Sequence, residues 1–336
     1  MQKSDLNFDY PKNLIATERK PVSRVMYVNG GDPLEVTPSY ILTQIGPDDL
    51  LVLNDTKVIK ARVHTEEGFE ILFIEALQEN QWNVLCPVRK WPKGQSLKLP
   101  GNIELQLIKK GRPQTVETSQ KIDLDYFQEY GELPLPPYIQ EARGERSTRA
   151  SDELQYQTAW AEKMGSLAAP TASLHFSNED IQKIKSRGAE VKRLCLHVGL
   201  GTFLPVQSEN LEDHIMHSEY VSIPKETWQS VLNCKKRGGK VWALGSTVTR
   251  SLESMAQGVF DEKEDQFFGE TDLFIRPGFQ FKIVDVLMTN FHQPGSTLIA
   301  MVMAFAGVDN VRKNYQWAIE RQYRLFSYGD LSVWKM

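Results

Sequence analysis

Three short stretches of this chain place histidines, hydroxyls and glycines where apolar runs end: Gly165-Ser-Leu-Ala-Ala-Pro-Thr-Ala-Ser-Leu-His-Phe176, His197-Val-Gly-Leu-Gly-Thr-Phe203 and Thr289-Asn-Phe-His-Gln-Pro-Gly-Ser-Thr297. Small residues let a polar ligand approach the backbone, and an imidazole alongside exchanges protons near neutral pH. Loops of this composition suit an enzyme that moves protons on a polar ligand. A plain turn explains Gly199 and Gly201 equally well. The segment is no dinucleotide fingerprint, because a third glycine is missing and Leu204-Pro205 follows where a helix should start. His175 also has a bland reading as a satisfied core imidazole, with Thr171 and Ser173 as turn or cap residues.

Other segments repeat the pattern. Asp49-Leu-Leu-Val-Leu53 reads as a buried strand that delivers Asn54, Asp55 and Thr56 to a sheet edge. Lys240-Val-Trp-Ala-Leu-Gly-Ser-Thr-Val-Thr-Arg250 reads as strand, turn and helix, a junction where ligand-binding amides are exposed. Its bland alternative is a capped helix with a surface pair between Arg250 and Glu253. His214, His217 and Glu219 invite a metal reading, but the spacing is loose and no cysteine cluster or HExxH motif supports it. Hydrogen bonding or proton transfer is the better use of His217 and Glu219.

The elements that must position these residues fall into two textures. From His64 to about Tyr130, alternating segments (Glu70–Glu75, Gln81–Cys86, Ser96–Leu99, Ile103–Ile108) separated by Gly, Pro and Lys turns predict a small all-β module. Leu133-Pro-Leu-Pro-Pro-Tyr-Ile139 is an extended proline-rich segment, after which the chain leaves that module. Beyond it, helical patterns over Asp152–Met164, Asn178–Arg187, Lys225–Arg237 and Val311–Arg324 alternate with apolar runs over Glu190–His197, Lys240–Leu244 and Lys282–Met288, the signature of α/β units. Leu298–Ala306 reads as core helix.

With 336 residues, 41% hydrophobic and 24% charged, the chain is an ordinary globular protein, and a formal charge of -4 argues against a general nucleic-acid coat while leaving room for a local basic patch. Three scattered cysteines form neither a zinc ribbon nor a disulfide framework, which suits a reducing compartment. The polar N-terminus lacks a signal-peptide core, and the longest apolar run is too short to span a bilayer, so a cytoplasmic protein without membrane contact is expected.

Read together and in order, the segments resemble the S-adenosylmethionine:tRNA ribosyltransferase-isomerase family of queuosine biosynthesis. The resemblance covers nearly the whole chain: Asp9-Tyr-Pro11, Leu50-Leu-Val-Leu-Asn-Asp-Thr-Lys-Val58 with Ala61-Arg62, Leu133 to Ile139, Tyr156-Gln-Thr158, the three loops above, Met216-His217, Glu219, Thr247, Arg250, Leu252-Glu-Ser254, Thr271-Asp272, Thr289-Asn-Phe-His292 and Ser327-Tyr-Gly-Asp330. Departures at Lys60, Gln155, Ser173, Gln293 and the closing Leu331-Ser-Val-Trp segment remove no candidate acid or base.

The resemblance implies an α/β catalytic domain with a partly open, barrel-like sheet and flanking helices, built from residues 1–63 and 150–336, and an inserted small β-barrel over 64–149. It implies transfer and isomerisation of the ribosyl part of S-adenosylmethionine onto 7-aminomethyl-7-deazaguanine at a tRNA wobble position, giving epoxyqueuosine with release of adenine and methionine. No metal and no cofactor beyond S-adenosylmethionine as substrate are expected, and a monomer is. Such chemistry needs a base for a proton beside the sulfonium, support for departing adenine and a deprotonated aminomethyl nucleophile. His175, His197, His217 and His292 form the candidate proton-transfer pool with Glu219. The expected substrate-binding set is Asp55, Thr56, Arg62, Thr171, Gly199, Gly201, Thr202, Thr247, Arg250, Asp272 and Asn290. For the tRNA, a basic surface is expected around Lys57, Lys60, Arg62, Arg89, Lys90 and Arg143 to Arg149. The competing classes are a non-catalytic RNA-binding protein, which leaves the loop histidines unexplained, and a methyltransferase, which lacks its usual glycine-rich entry.

Overall fold

The computed structural model describes every residue except 22, 92–93, 146–147, 200, 202–205 and 207. Two sheets organise the chain. Among the described residues the larger has ten strands, in the order Asp261–Glu262, Gln266–Thr271, Glu219–Pro224, Glu190–Leu196, Leu50–Asn54, Val241–Leu244, Val286–Asn290, Leu331–Lys335, Val25–Asn29 and Leu34–Val36. The four central strands from Glu190–Leu196 to Val286–Asn290 are mutually parallel, and antiparallel strands flank them on both sides.

Because the central strands are covered on both faces, they read as unbroken apolar runs. Leu50 and Val52 point into a core shared with Val231, Val248, Leu252 and Ile299 from the helices Lys225–Lys236, Ser246–Met255 and Thr297–Ala306. Leu51 and Leu53 point the other way, onto Ile41, Ile181 and Ile184 from the helices Pro38–Gln44 and Asn178–Ser186. The Asn178–Ser186 helix starts where the sequence places it, with Ser177 and Asp180 forming a reciprocal cap.

The smaller sheet is antiparallel throughout, in the order Arg62–His64, Glu70–Gln78, Gln81–Leu85, Gln114–Thr118, Ile103–Lys109 and Leu97–Leu99. The Glu66 N–H donates to the Lys98 carbonyl at 2.8 Å and brings the two edges together, so the sheet nearly closes. Phe73, Trp82 and Phe127 fill it with edge-to-face contacts 5.3–5.6 Å between centroids. This is the mixed α/β fold with an all-β module that the sequence pattern predicts.

Some elements differ from the pattern. The helix expected over Asp152–Met164 is only Ala150–Gln155, because Lys163–Ser166 leaves it to pair as a parallel strand with Thr56–Val58. Leu331–Lys335 inserts between Val286–Asn290 and Val25–Asn29, burying Trp334. Arg250 and Glu253 do not form a surface pair. Glu253 is fully buried and accepts from the Lys282, Ile283 and Val284 N–H groups at 2.9–3.0 Å, fixing the approach to the Val286–Asn290 strand.

Candidate active site

The carboxyl ends of the parallel strands open onto one cleft holding about 1060 Å³ of space, which is where open α/β sheets place ligands. The three loops meet there. Ala168 to Ala172 form one wall, Val198 and Gly201 a second, and Thr289 to Gln293 a third. The strand end at Glu219 and the helix start at Gly245, Ser246 and Thr247 complete the polar side. Gly245, with φ of 110°, turns the Val241–Leu244 strand directly into the Ser246–Met255 helix, so that helix presents its N-terminal N–H groups to the cleft.

Arg250 and Glu219 form an ion pair on the cleft wall, with side chains 9% and 2% exposed. The other Glu219 oxygen accepts from the Gly199 N–H at 2.9 Å. Arg250 Nε is buried and has no protein partner among the described residues. Burial pushes the Arg250 guanidinium down to about 10, so it stays charged at neutral pH.

Across the cleft, Thr171 Oγ1 donates to Asn290 Oδ1 at 2.8 Å, and the Asn290 amide donates to His175 Nε2 at 3.2 Å. That bond makes Nε2 an acceptor, so Nδ1 carries the proton and donates to Ser23 Oγ at 2.7 Å. His292 is bonded through Nε2 to Thr289 Oγ1 at 2.8 Å, and its backbone N–H donates to the Tyr315 hydroxyl. Burial lowers both imidazoles to about 3. They are therefore neutral hydrogen-bonding groups at physiological pH and not bases. His217, by contrast, lies exposed at the cleft lip with no hydrogen-bond partner among the described residues.

The two buried histidines have a measurable consequence. In the unfolded chain they take up protons below pH 6.5, whereas in the fold they resist until about pH 3, so stability present above 6.5 is lost as the pH falls through that window. Well below the unfolded pKa each unit of pH costs roughly 1.4 kcal/mol per histidine, which integrates to roughly 3 kcal/mol for the pair between pH 6.5 and 5. Urea unfolding at those two pH values is the check, and equal stabilities would show that these imidazoles do not stay neutral.

Several expected residues lie away from the cleft. His197 sits on the opposite face of the Glu190–Leu196 strand end from Val198, with Nδ1 2.8 Å from Thr56 Oγ1 and its ring stacked on Tyr220. A Cβ on Gly165 would lie 2.8 Å from that ring, so glycine there serves His197 packing. Asp55 belongs to the same cluster, 3.8 Å from Lys163 Nζ, and burial raises its carboxyl while Lys163 opposes the shift. Burial lowers His197, with the Lys163 charge as a second cause. The Gly199 amide is occupied by Glu219 and is not free for a ligand. Asp272 is exposed outside the cleft, while its neighbour Thr271 bonds Ser254 at 2.6 Å. Thr202 lies outside the described residues. His214 packs edge-on to Phe274, and Glu219 is held by Arg250, so the trio weighed as metal ligands does not converge.

Several cations of the expected basic surface are paired within the chain, whereas Lys57, Arg89 and Lys90 have no ion-pair partner among the described residues. Arg62 is 1% exposed and bonds Glu132 at 2.8 Å and Thr148, bridging the small sheet to the segment that follows it. Arg143 makes a two-point pair with buried Asp152 at 2.7 and 2.8 Å. Lys60 pairs with Glu153, and Arg149 with Glu145. Arg146 lies outside the described residues.

The cleft also has an apolar side that the residue types alone did not assign: Pro136, Tyr138, Tyr156 and Phe326. Tyr138 bonds Ser327 and packs edge-on against Phe326. Motifs containing Tyr138 and Tyr156 were legible, but aromatic residues beside prolines carry no chemical signal until a fold turns them inward.

A family pattern described as queuosine biosynthesis protein matches residues 3–333. The chain belongs to that family. It is 42% identical to the S-adenosylmethionine:tRNA ribosyltransferase-isomerase of Halothermothrix orenii, over 98% of each chain. A crystal structure of the S-adenosylmethionine tRNA ribosyltransferase of Thermotoga maritima aligns with a TM-score of 0.55 and 30% identity, over 98% of this chain and 99% of that one. The family match thus spans nearly the whole chain.

Proposed function

We propose that this chain is an S-adenosylmethionine:tRNA ribosyltransferase-isomerase, moving the ribosyl part of S-adenosylmethionine onto 7-aminomethyl-7-deazaguanine at a tRNA wobble position. The observation that carries the reading is the composition of the cleft: a buried cation on its wall, an imidazole without a hydrogen-bond partner at the lip and an aromatic side. A sulfonium amino-acid nucleoside offers the matching groups, namely a carboxylate, an acidic C–H beside sulfur and one flat base.

Arg250, held by Glu219, takes the methionine carboxylate, assisted by the helix N-terminus at Ser246 and Thr247. Thr171 and Asn290, oriented by neutral His175, bond ribose hydroxyls. Tyr138, Tyr156 and Phe326 stack on a base and keep water from it. His217 exchanges the proton beside the sulfonium. His292 holds Thr289 in place. Adenine leaves and takes up a proton, the aminomethyl nitrogen attacks the ribosyl unit and gives one up, and closure of the epoxide by a ribosyl oxygen breaks the carbon–sulfur bond and releases methionine. The chain is further proposed to act in the cytoplasm as a monomer, without another cofactor, with 1–63 and 150–336 as the catalytic unit around an inserted 64–149. Light scattering on the purified chain tests the monomer.

Incubation with S-adenosylmethionine and precursor tRNA should release adenine and methionine in equal amounts and add a cyclopentane-type adduct to the tRNA. A methyl adduct, or unaltered tRNA with no free adenine, would refute the assignment.

A further inference from the structure

A second concavity, with about 520 Å³ of space, lies behind the Asn290 wall of the cleft and is lined by Arg19, Lys20, Pro21, Ser23, Gln155, Leu174 and His175. Its charges are of one sign. Among the described residues no carboxylate lines it, and neither the Arg19 nor the Lys20 side chain has an ion-pair or hydrogen-bond partner. Arg19 is exposed as a residue, but its guanidinium end is partly desolvated, and burial without a counter-charge lowers it. Of the cations on which a tRNA surface would first be sought, Arg62, Arg143 and Lys60 are committed to Glu132, Asp152 and Glu153, while Arg89 and Lys90 are exposed and, like Lys57, have no ion-pair partner among the described residues.

The concavity is tied to the cleft by one histidine ring. His175 touches Ser23 on one side and the Asn290 amide on the other, and Asn290 bonds Thr171. A group seated against Arg19, Lys20 and Ser23 is therefore next to whatever Asn290 holds. Two unpaired cations, a hydroxyl and a neutral amide without any acid match an oxyanion that carries charge on several oxygens. We infer that this concavity is a phosphate site for the RNA backbone, seating a phosphodiester next to the nucleotide that enters the cleft. The inference rests on the proposed tRNA reaction and adds where the substrate backbone is gripped.

The test uses the full-length chain and a fluorescent anticodon stem-loop RNA, with anisotropy titrations from 50 to 300 mM KCl. Arg19→Ala/Lys20→Ala should raise Kd at least about tenfold at low salt and flatten the slope of log Kd against log salt by about 0.7 for each single-strand phosphate no longer neutralised. Gln155→Lys, which adds a cation to the same wall, should tighten binding and steepen the slope. The Kd for S-adenosylmethionine without RNA should stay within about twofold, since the grip on a phosphate positions only the RNA. Unchanged RNA affinity and slope in both variants would overturn the site. So would calorimetric binding of inorganic phosphate that requires Arg19 and Lys20 while RNA binding does not, because the concavity would then serve a free anion. Loss of S-adenosylmethionine binding in the double variant would reassign it to the donor. Adenine release by the unmodified chain is measured in parallel. Its absence with Arg19-dependent RNA binding intact sinks the ribosyl-transfer reading alone, and its presence without such dependence sinks only the phosphate site.

Discussion

Glu219→Ala is expected to destabilise the fold by about 3–5 kcal/mol, the cost of removing one partner of a buried ion pair. Arg250 would keep its charge inside the wall with its counter-charge gone, and the Gly199 N–H would lose its acceptor as well. Urea unfolding measures the loss. Because such a variant fails through stability before chemistry is reached, the decisive comparison is Glu219→Ala/Arg250→Met. Replacing both members by apolar groups removes the unpaired charge and should restore most of the stability. Affinity for S-adenosylmethionine should not return with it, since the guanidinium proposed to hold the methionine carboxylate is absent. A charge-assisted interaction in a partly closed cleft accounts for a rise in Kd of about 10- to 100-fold, about 1.5–3 kcal/mol. If the stabilised double variant binds the donor normally, the pair is scaffolding and the carboxylate must be held elsewhere.

The architecture was legible where periodicity was clean. Glu70–Gln78 and Ile103–Lys109 alternate because one face is core and the other solvent, while Leu50–Asn54 is continuously apolar because helices cover both faces. The Leu331–Lys335 strand was hidden because its neighbours, Val25–Asn29 and Val286–Asn290, come from the far end of the chain and from a separate unit. Pairing of that kind leaves no local trace. At the site, loop composition drew attention to three segments that each contribute residues to one cleft, Ala168 to Ala172, Val198 with Gly201, and Thr289 to Gln293, but it carried no information on sidedness. Val198 faces the cleft and His197, one residue earlier, points away, as alternation at a strand end requires. Charges were misread for a related reason. Arg62, Arg143 and Arg250 look like exposed cations in sequence, and each is instead buried against a carboxylate 70, 9 or 31 positions away.

The same sidedness separates two histidines that the sequence treats as equals. His217→Ala should lower turnover by about 10²–10⁴, the range of a lost acid–base group, with S-adenosylmethionine affinity little altered. His197→Ala should lower it less than about tenfold. The His197 imidazole lies behind the wall, bonded to Thr56 and stacked on Tyr220, and its loss opens a space beside Gly165 without removing a group from the cleft. The consequence of that space is reduced stability, visible as a lower Tm. Steady-state adenine release, with the Tm of each variant measured alongside, distinguishes the two effects. Added imidazole supplies a further check, because a missing proton-transfer group at an open lip can be partly replaced by a small base from solution, whereas a packing defect behind the wall cannot. Rescue of His217→Ala and not of His197→Ala assigns proton transfer to His217. A deep loss of turnover in a stable His197→Ala would move the reacting atoms to the other face of the strand, and with them the carboxylate of Asp55.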